Sequence, residues 1–298
     1  MMSLLNKSRQ LKLPISIQIE LFHVLVRPIL TYSSEVWGYA NLELVESLHR
    51  EYLKYILNLK KSTANIFVYG ETGEYPIYIH IYCRMLKFWH SLSCRNPEKY
   101  SSRMLKTLTE CYNLDIYKND WLSKIREILN SIGLTFVWNN PGGVTSNWLI
   151  RAATLKLKDQ FLQKWQDDCN NSSKATNYNL YKNGIEFEKY LDDLPFCYRN
   201  ALIKLRTSNT KLPIEKGRYQ NLPFDERLCT LCDMQRIGDD FHFLLECPHF
   251  SNNRKAMLPK FCTQHPNFYK YSNIMSSQNK TTTLKLSKYI YKGFLEIK

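Results

Sequence analysis

Residues 229 to 247 place three cysteines and a histidine in the order Cys229-x2-Cys232-x9-His242-x4-Cys247, and this spacing constrains the chain more than any other feature. A C-x2-C pair presents two sulfurs from one tight turn, and the H-x4-C pair presents two more donors from a second. Gly238, between the pairs, lets the chain reverse, while Phe241, Phe243 and Leu244 offer an apolar wall. Zinc favours thiolate and imidazole donors in a tetrahedron. The segment therefore predicts a structural Zn2+ site with Cys229, Cys232, His242 and Cys247 as ligands. His249, two positions beyond Cys247, is a competing ligand; the spacing favours His242. Four protein ligands leave no coordination position for water, and such a site couples metal binding to local folding.

The remaining cysteines bear on compartment. There are 9 in all, an odd number, and Met1–Gln10 has no apolar core of a secretory leader. The expectation is a reducing, intracellular setting, nuclear and/or cytoplasmic and not secreted, with thiols such as Cys262 in the core. No run of about 18 apolar residues is present, so no membrane span is expected.

Charge points to a polyanion. The formal net charge is +14. Arg199–Lys298 holds 17 Lys/Arg against 8 Asp/Glu, a net of +9 that leaves +5 for everything before it. Within it, Arg199, Lys204, Arg206, Lys211, Lys216, Arg218 and Arg227 are interleaved with Tyr198, Tyr219 and Phe224, and Arg254 and Lys255 follow the cysteine cluster. Cations engage phosphates and aromatics stack on unpaired bases. Arg199, Lys204, Arg206, Lys211, Lys216, Arg218, Tyr219, Arg227, Arg254 and Lys255 are thus the candidate contacts to RNA and/or DNA; the alternative is a solvated helix face. Glu215 is close enough to Arg218 to pair with it.

Periodicity predicts a mainly α protein, a bundle-like multi-helix body with a small CCHC zinc knuckle near the C-terminus. Ile15, Ile19, Phe22 and Val26 share one face after Pro14; Asn41 can cap a helix striped by Val45, Tyr52 and Ile56. Ser62–Pro76 reads as a connection, with turn signals at Gly70 and Gly73. Helices follow over Ile77–Leu92, Ser101–Cys111, Trp121–Ile132, Trp148–Cys169, Leu194–Thr207 and Ser287–Lys298, with a polar loop at Asn170–Asn179. Arg199 and Arg206 fall together on an outward face of their helix.

No catalytic constellation emerges. Gly238-Asp239-Asp240 spells a polymerase-like GDD, but it lies between metal ligands, whereas a two-metal polymerase needs its carboxylates on a β-hairpin with a further Asp upstream. Asp167-Asp168 reads as the solvated side of a helix end. His23, His49, His80 and His90 have no nucleophile or metal pattern nearby and are expected at helix surfaces or interfaces.

Several blocks carry a resemblance. Leu21-Phe22 through Val26-Arg27-Pro28-Ile29-Leu30-Thr31-Tyr32, Ser34-Glu35-Val36-Trp37-Gly38, Val68-Tyr69-Gly70-Glu71 to Tyr75-Pro76, Leu212–Tyr219 leading through Arg227-Leu228-Cys229, and Cys247-Pro248 through Arg254 occur in that order. Together they resemble the C-terminal part of the reverse transcriptase polyprotein of LINE-type non-LTR retrotransposons. The resemblance implies thumb-like helices near the N-terminus and a knuckle that helps to hold template RNA or target DNA. It also implies that the polymerase and endonuclease centres lie upstream, so this chain is expected to be a non-catalytic remnant with no small-molecule substrate. Its parts would be a thumb-like region over 1–100, a helical connector with a basic lead-in over 101–220, and the knuckle with a basic tail over 221–298. The rival expectation is a helical protein-interaction module with a structural zinc site.

Overall fold

The computed structural model describes residues 12–297. Among them the regular structure is helical, with two isolated antiparallel β-bridges, Thr72 with Phe187 and Leu228 with Ile237. In chain order the helices are α1 (Ile15–Leu21), a π-helical turn (Phe22–Val26), α2 (Arg27–Leu30), α3 (Ser34–Trp37), α4 (Leu42–Ile56), α5 (Asn65–Thr72), α6 (Ile77–Ser93), α7 (Tyr100–Asn113) and α8 (Asp120–Ser131). They continue as α9 (Thr135–Asn139), α10 (Ser146–Asn170), α11 (Tyr190–Asp193), α12 (Phe196–Arg206), α13 (Pro213–Tyr219), a second π-helical turn (His242–Glu246), α14 (Ser251–Met257), α15 (Lys260–Thr263), α16 (Phe268–Met275) and α17 (Lys280–Glu296).

The chain divides into two compact units that cut across the three linear segments expected from sequence. One comprises residues up to Glu20, Glu51–Glu74 and Trp165–Lys298; the other comprises Leu21–Arg50 and Tyr75–Lys164.

In the first unit α12 packs along α17. Leu286, Tyr289, Ile290 and Gly293 recur at helical spacing on the buried face of α17, and Ala201, Leu202 and Leu205 are buried on α12. Asn279 starts α17 by accepting from the backbone N–H groups of Thr281 and Thr282 at 3.0 and 3.1 Å. The expected basic tail is therefore a folded pair of helices, α16 and α17. Their lysines lie outward because Tyr271, Ile274, Met275 and the α17 stripe supply enough apolar surface to bury.

The expected connection at Ser62–Pro76 is also a helix. α5 buries Phe67, Val68 and Tyr69 and ends at Gly73, whose φ of 71° lies in the left-handed region. Two glycines in four residues imitate a loop composition, but Gly70 is helical and only Gly73 is a terminator.

At the centre of this unit α5 and α12 share a buried charge cluster. Arg206 Nε lies 3.0 and 2.9 Å from the two Glu71 carboxylate oxygens, its Nη1 donates to the Met275 carbonyl at 2.8 Å, and its Nη2 lies 3.1 Å from Glu188 Oε1. Tyr178 and Tyr190 each donate a hydroxyl to Glu71, at 2.9 and 2.6 Å. Burial pushes the Glu71 carboxyl up, but the Arg206 guanidinium, with Lys182 and the Tyr190 hydroxyl, together hold it below the usual carboxylate range.

In the second unit α6 is the hub, with α3, α7 and α8 packed on it. Trp89 stacks on Trp138 with ring centroids 5.6 Å apart, and Arg84 of α6 pairs with Glu35 of α3 at 2.6 Å. Of the histidines expected at helix surfaces or interfaces, His49 and His90 are interior and His23 and His80 are half-buried. His90 Nε2 lies 3.0 Å from both the Pro141 and Val144 carbonyls, tying down the Asn139–Gly143 loop, and His49 is fully buried with its ring on Phe22. A histidine on an apolar helix face is a large flat side chain as well as a base, and here its packing decides its position.

Candidate metal centre and nucleic-acid interface

The four cysteine and histidine ligands converge. Their donor atoms all lie within 4.8 Å of one another, and the group could hold a metal ion. Cys229 Sγ is 4.0 Å from Cys247 Sγ, and Cys232 Sγ is 3.3 Å from His242 Nε2. A tetrahedron with metal–sulfur bonds of about 2.3 Å has edges of about 3.8 Å, close to these separations.

Local backbone bonds explain the convergence. The first pair sits at the tip of a short hairpin: Leu228 bridges Ile237, the Cys229 N–H donates to Arg236 O at 2.8 Å, and the Gly238 N–H donates to Arg227 O at 2.9 Å. Gly238 is required by close approach, since a Cβ there would meet the Pro213 ring at 2.6 Å. The second pair spans the π-helical turn, closed by a bond from Cys247 N–H to His242 O at 2.8 Å. This wider turn brings an i, i+5 pair onto one side, whereas an α-helical turn matches i, i+4.

Neighbouring groups orient the ligands. His242 Nδ1 lies 3.2 Å from Glu246 Oε2, so an N–H donated to the carboxylate leaves the Nε2 lone pair facing the sulfurs. Burial lowers the His242 pKa against the pull of Glu246, which favours the neutral, ligating form. Burial pushes the Cys247 thiol up to about 12, so a metal cation is what would hold it as a thiolate at neutral pH. His249 stands apart; its Nε2 pairs with Glu296 Oε2 at 2.9 Å.

Arg254, expected at nucleic acid, is instead buried behind the centre. Its Nε donates to the Leu244 carbonyl and its Nη2 to the Cys247 carbonyl, each at 2.8 Å. α17 closes the same wall: the Tyr289 hydroxyl donates to the Phe243 carbonyl at 2.7 Å.

The GDD triplet is occupied in holding this structure. Asp239 Oδ1 accepts from the His242 backbone N–H at 2.8 Å. Asp240 accepts from Asn177 Nδ2 on one oxygen and from the Tyr271 hydroxyl on the other. Burial, and then the charge of Asp240, push Asp239 up to about 6; burial raises Asp240 as well. Asn177 lies in the polar stretch read as a loop, and no local signal in the sequence announces its role. Asp167 and Asp168 are exposed, as expected.

The candidate phosphate contacts separate by burial. Arg206 and Arg254 are interior, which corrects their expected role as nucleic-acid contacts and, for Arg206, the outward face assigned from sequence. Arg206 points inward because its planar fork is the one group that can satisfy Glu71, Glu188 and a carbonyl together. Arg199 is half-buried and donates to Leu191 O at 2.9 Å; Arg227 is half-buried and donates to Leu222 O through Nε and Nη2. Arg218 is held by Glu215 and the Ser173 carbonyl, as its neighbour in sequence suggested. Lys211, Lys216, Tyr219 and Lys255 are exposed, and Lys204 is half-exposed.

Lys204 and Lys211 meet in a groove of roughly 510 Å3 that also includes Lys60, Asn58 and Asn209. Lys60 carries no distinguishing signal in sequence. Its ammonium also stands 5.8 Å from the ring centroid of Tyr219. Lys211 and Ile297 are shared with a second cavity of roughly 330 Å3, whose lining includes the ligands Cys229, His242 and Cys247.

Among the described residues no helix is long and apolar enough to cross a membrane. No protein-family model, no curated protein and no solved structure matches the chain.

Proposed function

We propose that this chain is a non-catalytic nucleic-acid-binding protein pinned by zinc, of the kind found at the C-terminal end of LINE-type non-LTR retrotransposon reverse transcriptases. Zinc is the ion chosen by three thiolates and one imidazole at tetrahedral separations. The observation that carries the reading is Lys211, which belongs both to the lysine-lined groove and to the cavity walled by the metal ligands. The metal centre thus fixes the backbone next to a surface suited to phosphates. The GDD carboxylates are engaged as acceptors within the fold, which supports a role without polymerase chemistry.

Two measurements test this. Metal analysis of the purified chain should give one zinc per molecule. Affinity for single-stranded RNA should fall with salt, with a log–log slope of about −2 if Lys60, Lys204 and Lys211 each neutralise one phosphate. A chain that holds no zinc, or that binds no strand at low salt, overturns the reading.

A second reading is favoured by one observation in the other unit. Val24, Ile29, Tyr32 and Val36 are exposed by 58, 76, 77 and 56% along three consecutive short helical segments and the turn before the third. Large apolar side chains left out in sequence neighbours suit a protein partner. Ile29→Lys with Tyr32→Ser would abolish capture of such a partner and leave RNA affinity unchanged.

A further inference from the structure

We propose that the cavity beside the metal centre receives one unstacked base of a single-stranded nucleic acid whose phosphates lie along Lys60, Lys204 and Lys211. The inference rests on the nucleic-acid reading above and adds which form of nucleic acid is bound and how. The cavity, at roughly 330 Å3, lies in the range of small-ligand pockets, and Leu212, Leu222, Leu231, Phe243 and Phe250 give it apolar walls. Such walls suit the flat face of a base and do not suit a phosphate. The lining carries both signs, Lys211, Lys216 and Arg227 against Glu226, Asp239 and Glu296, and its cations and carboxylates can meet the acceptors and donors of a base edge.

Further cations lie on the adjoining side. Lys60 and Lys204 line the neighbouring groove, and Lys211 lies on both. A strand that follows the lysines therefore passes the cavity mouth with its backbone on the cationic side. Tyr219, 66% exposed and paired with Lys60, offers a face on which a second base can stack. A duplex keeps its bases stacked and paired, so it can satisfy the lysines but cannot fill the cavity.

The test uses the intact zinc-loaded chain and fluorescence anisotropy with a 10-nucleotide RNA, the same strand made abasic, and a 10-base-pair duplex. The expected result is that the intact strand binds about tenfold more tightly than either of the others. A strand carrying 2-aminopurine should change its emission on binding. Leu222→Trp, which fills the cavity, should remove the advantage of the intact strand and leave duplex affinity unchanged. The 2-aminopurine measurement on the unaltered chain does not depend on that variant folding. Equal binding of all three ligands, with no change in 2-aminopurine emission, overturns the base pocket and leaves nucleic-acid binding standing. Failure to bind any of them at low salt overturns both.

Discussion

Arg206 Nε sits 2.9 Å from Glu71 Oε2 with both side chains buried, joining two segments separated by 135 positions in the chain. Removing one partner would strand the other charge in the core. Arg206→Ala is expected to cost about 3–5 kcal/mol, and Glu71→Ala a similar amount. Replacing both with apolar residues of similar volume should cost much less than the sum of the two. Urea unfolding of the two single variants and the double variant measures the coupling; additive losses would show that the pair acts as two independent groups.

Metal binding and Arg254 are linked through the Cys247 carbonyl. Cys232→Ser should abolish metal binding and unfold the knuckle, while α6–α8 retain their helicity because their core lies in the other unit. Arg254→Met, which touches no ligand side chain, should retain the ion but weaken it by about 10–100-fold, the size of effect seen when groups behind the ligands are lost. Competition with a chromophoric chelator reads both. Unchanged affinity in Arg254→Met would mean that the π-helical turn holds Cys247 without it.

Ligand chemistry was legible in the sequence because it depends on residue type at short spacing, and Cys229, Cys232, His242 and Cys247 do converge. The helices were legible for the same reason: the stripe Ile77, Ile81, Met85, Trp89 is a local pattern, and all four residues are buried. Long-range partners were not. Arg206 reads as a cation on a polar face, and nothing near it in sequence announces Glu71. Asn177 reads as a loop residue, and Lys60 carries no distinguishing signal. Each acquires its role from a segment more than sixty positions away. α5 was hidden by a different effect, since Gly70 and Gly73 suggest a turn until Phe67 and Val68 are seen to be buried.

The second unit should lose stability in mild acid. Burial, helped by the charges of His23, Arg27 and Arg50, lowers the His49 pKa from 6.5 to about 3. Burial also lowers His80, to about 4. Between about pH 6.5 and these lower values the unfolded chain takes up protons that the folded chain refuses, so stability falls as pH falls through that window. Each unit of depression corresponds to about 1.4 kcal/mol for a fully buried group. Tryptophan emission reports this unit selectively, because every tryptophan except Trp165 lies in it. Urea midpoints followed by that emission should drop between pH 7 and pH 5, and His49→Phe should flatten the slope. A pH-independent midpoint in the unaltered chain would mean that the buried imidazoles take up protons in the folded state.

Asp240 separates a structural triplet from a catalytic one. Its two oxygens accept from Asn177 and Tyr271, so it ties the knuckle to α16 and to the segment after α10. Asp240→Ala leaves both donors without a partner and should cost about 1–3 kcal/mol for each group left unsatisfied in the interior. Tyr271→Phe removes one bond while leaving Asp240 with Asn177, and should cost less. Measured together in a double-mutant cycle, Asp240 and Tyr271 should show a coupling of about 0.5–3 kcal/mol. A polymerase carboxylate behaves in the opposite way: its loss abolishes nucleotide addition and leaves stability nearly unchanged. Primer extension by the unaltered chain with Mg2+ is expected to give no product, and a product that disappears in Asp240→Asn without loss of stability would assign the triplet to catalysis.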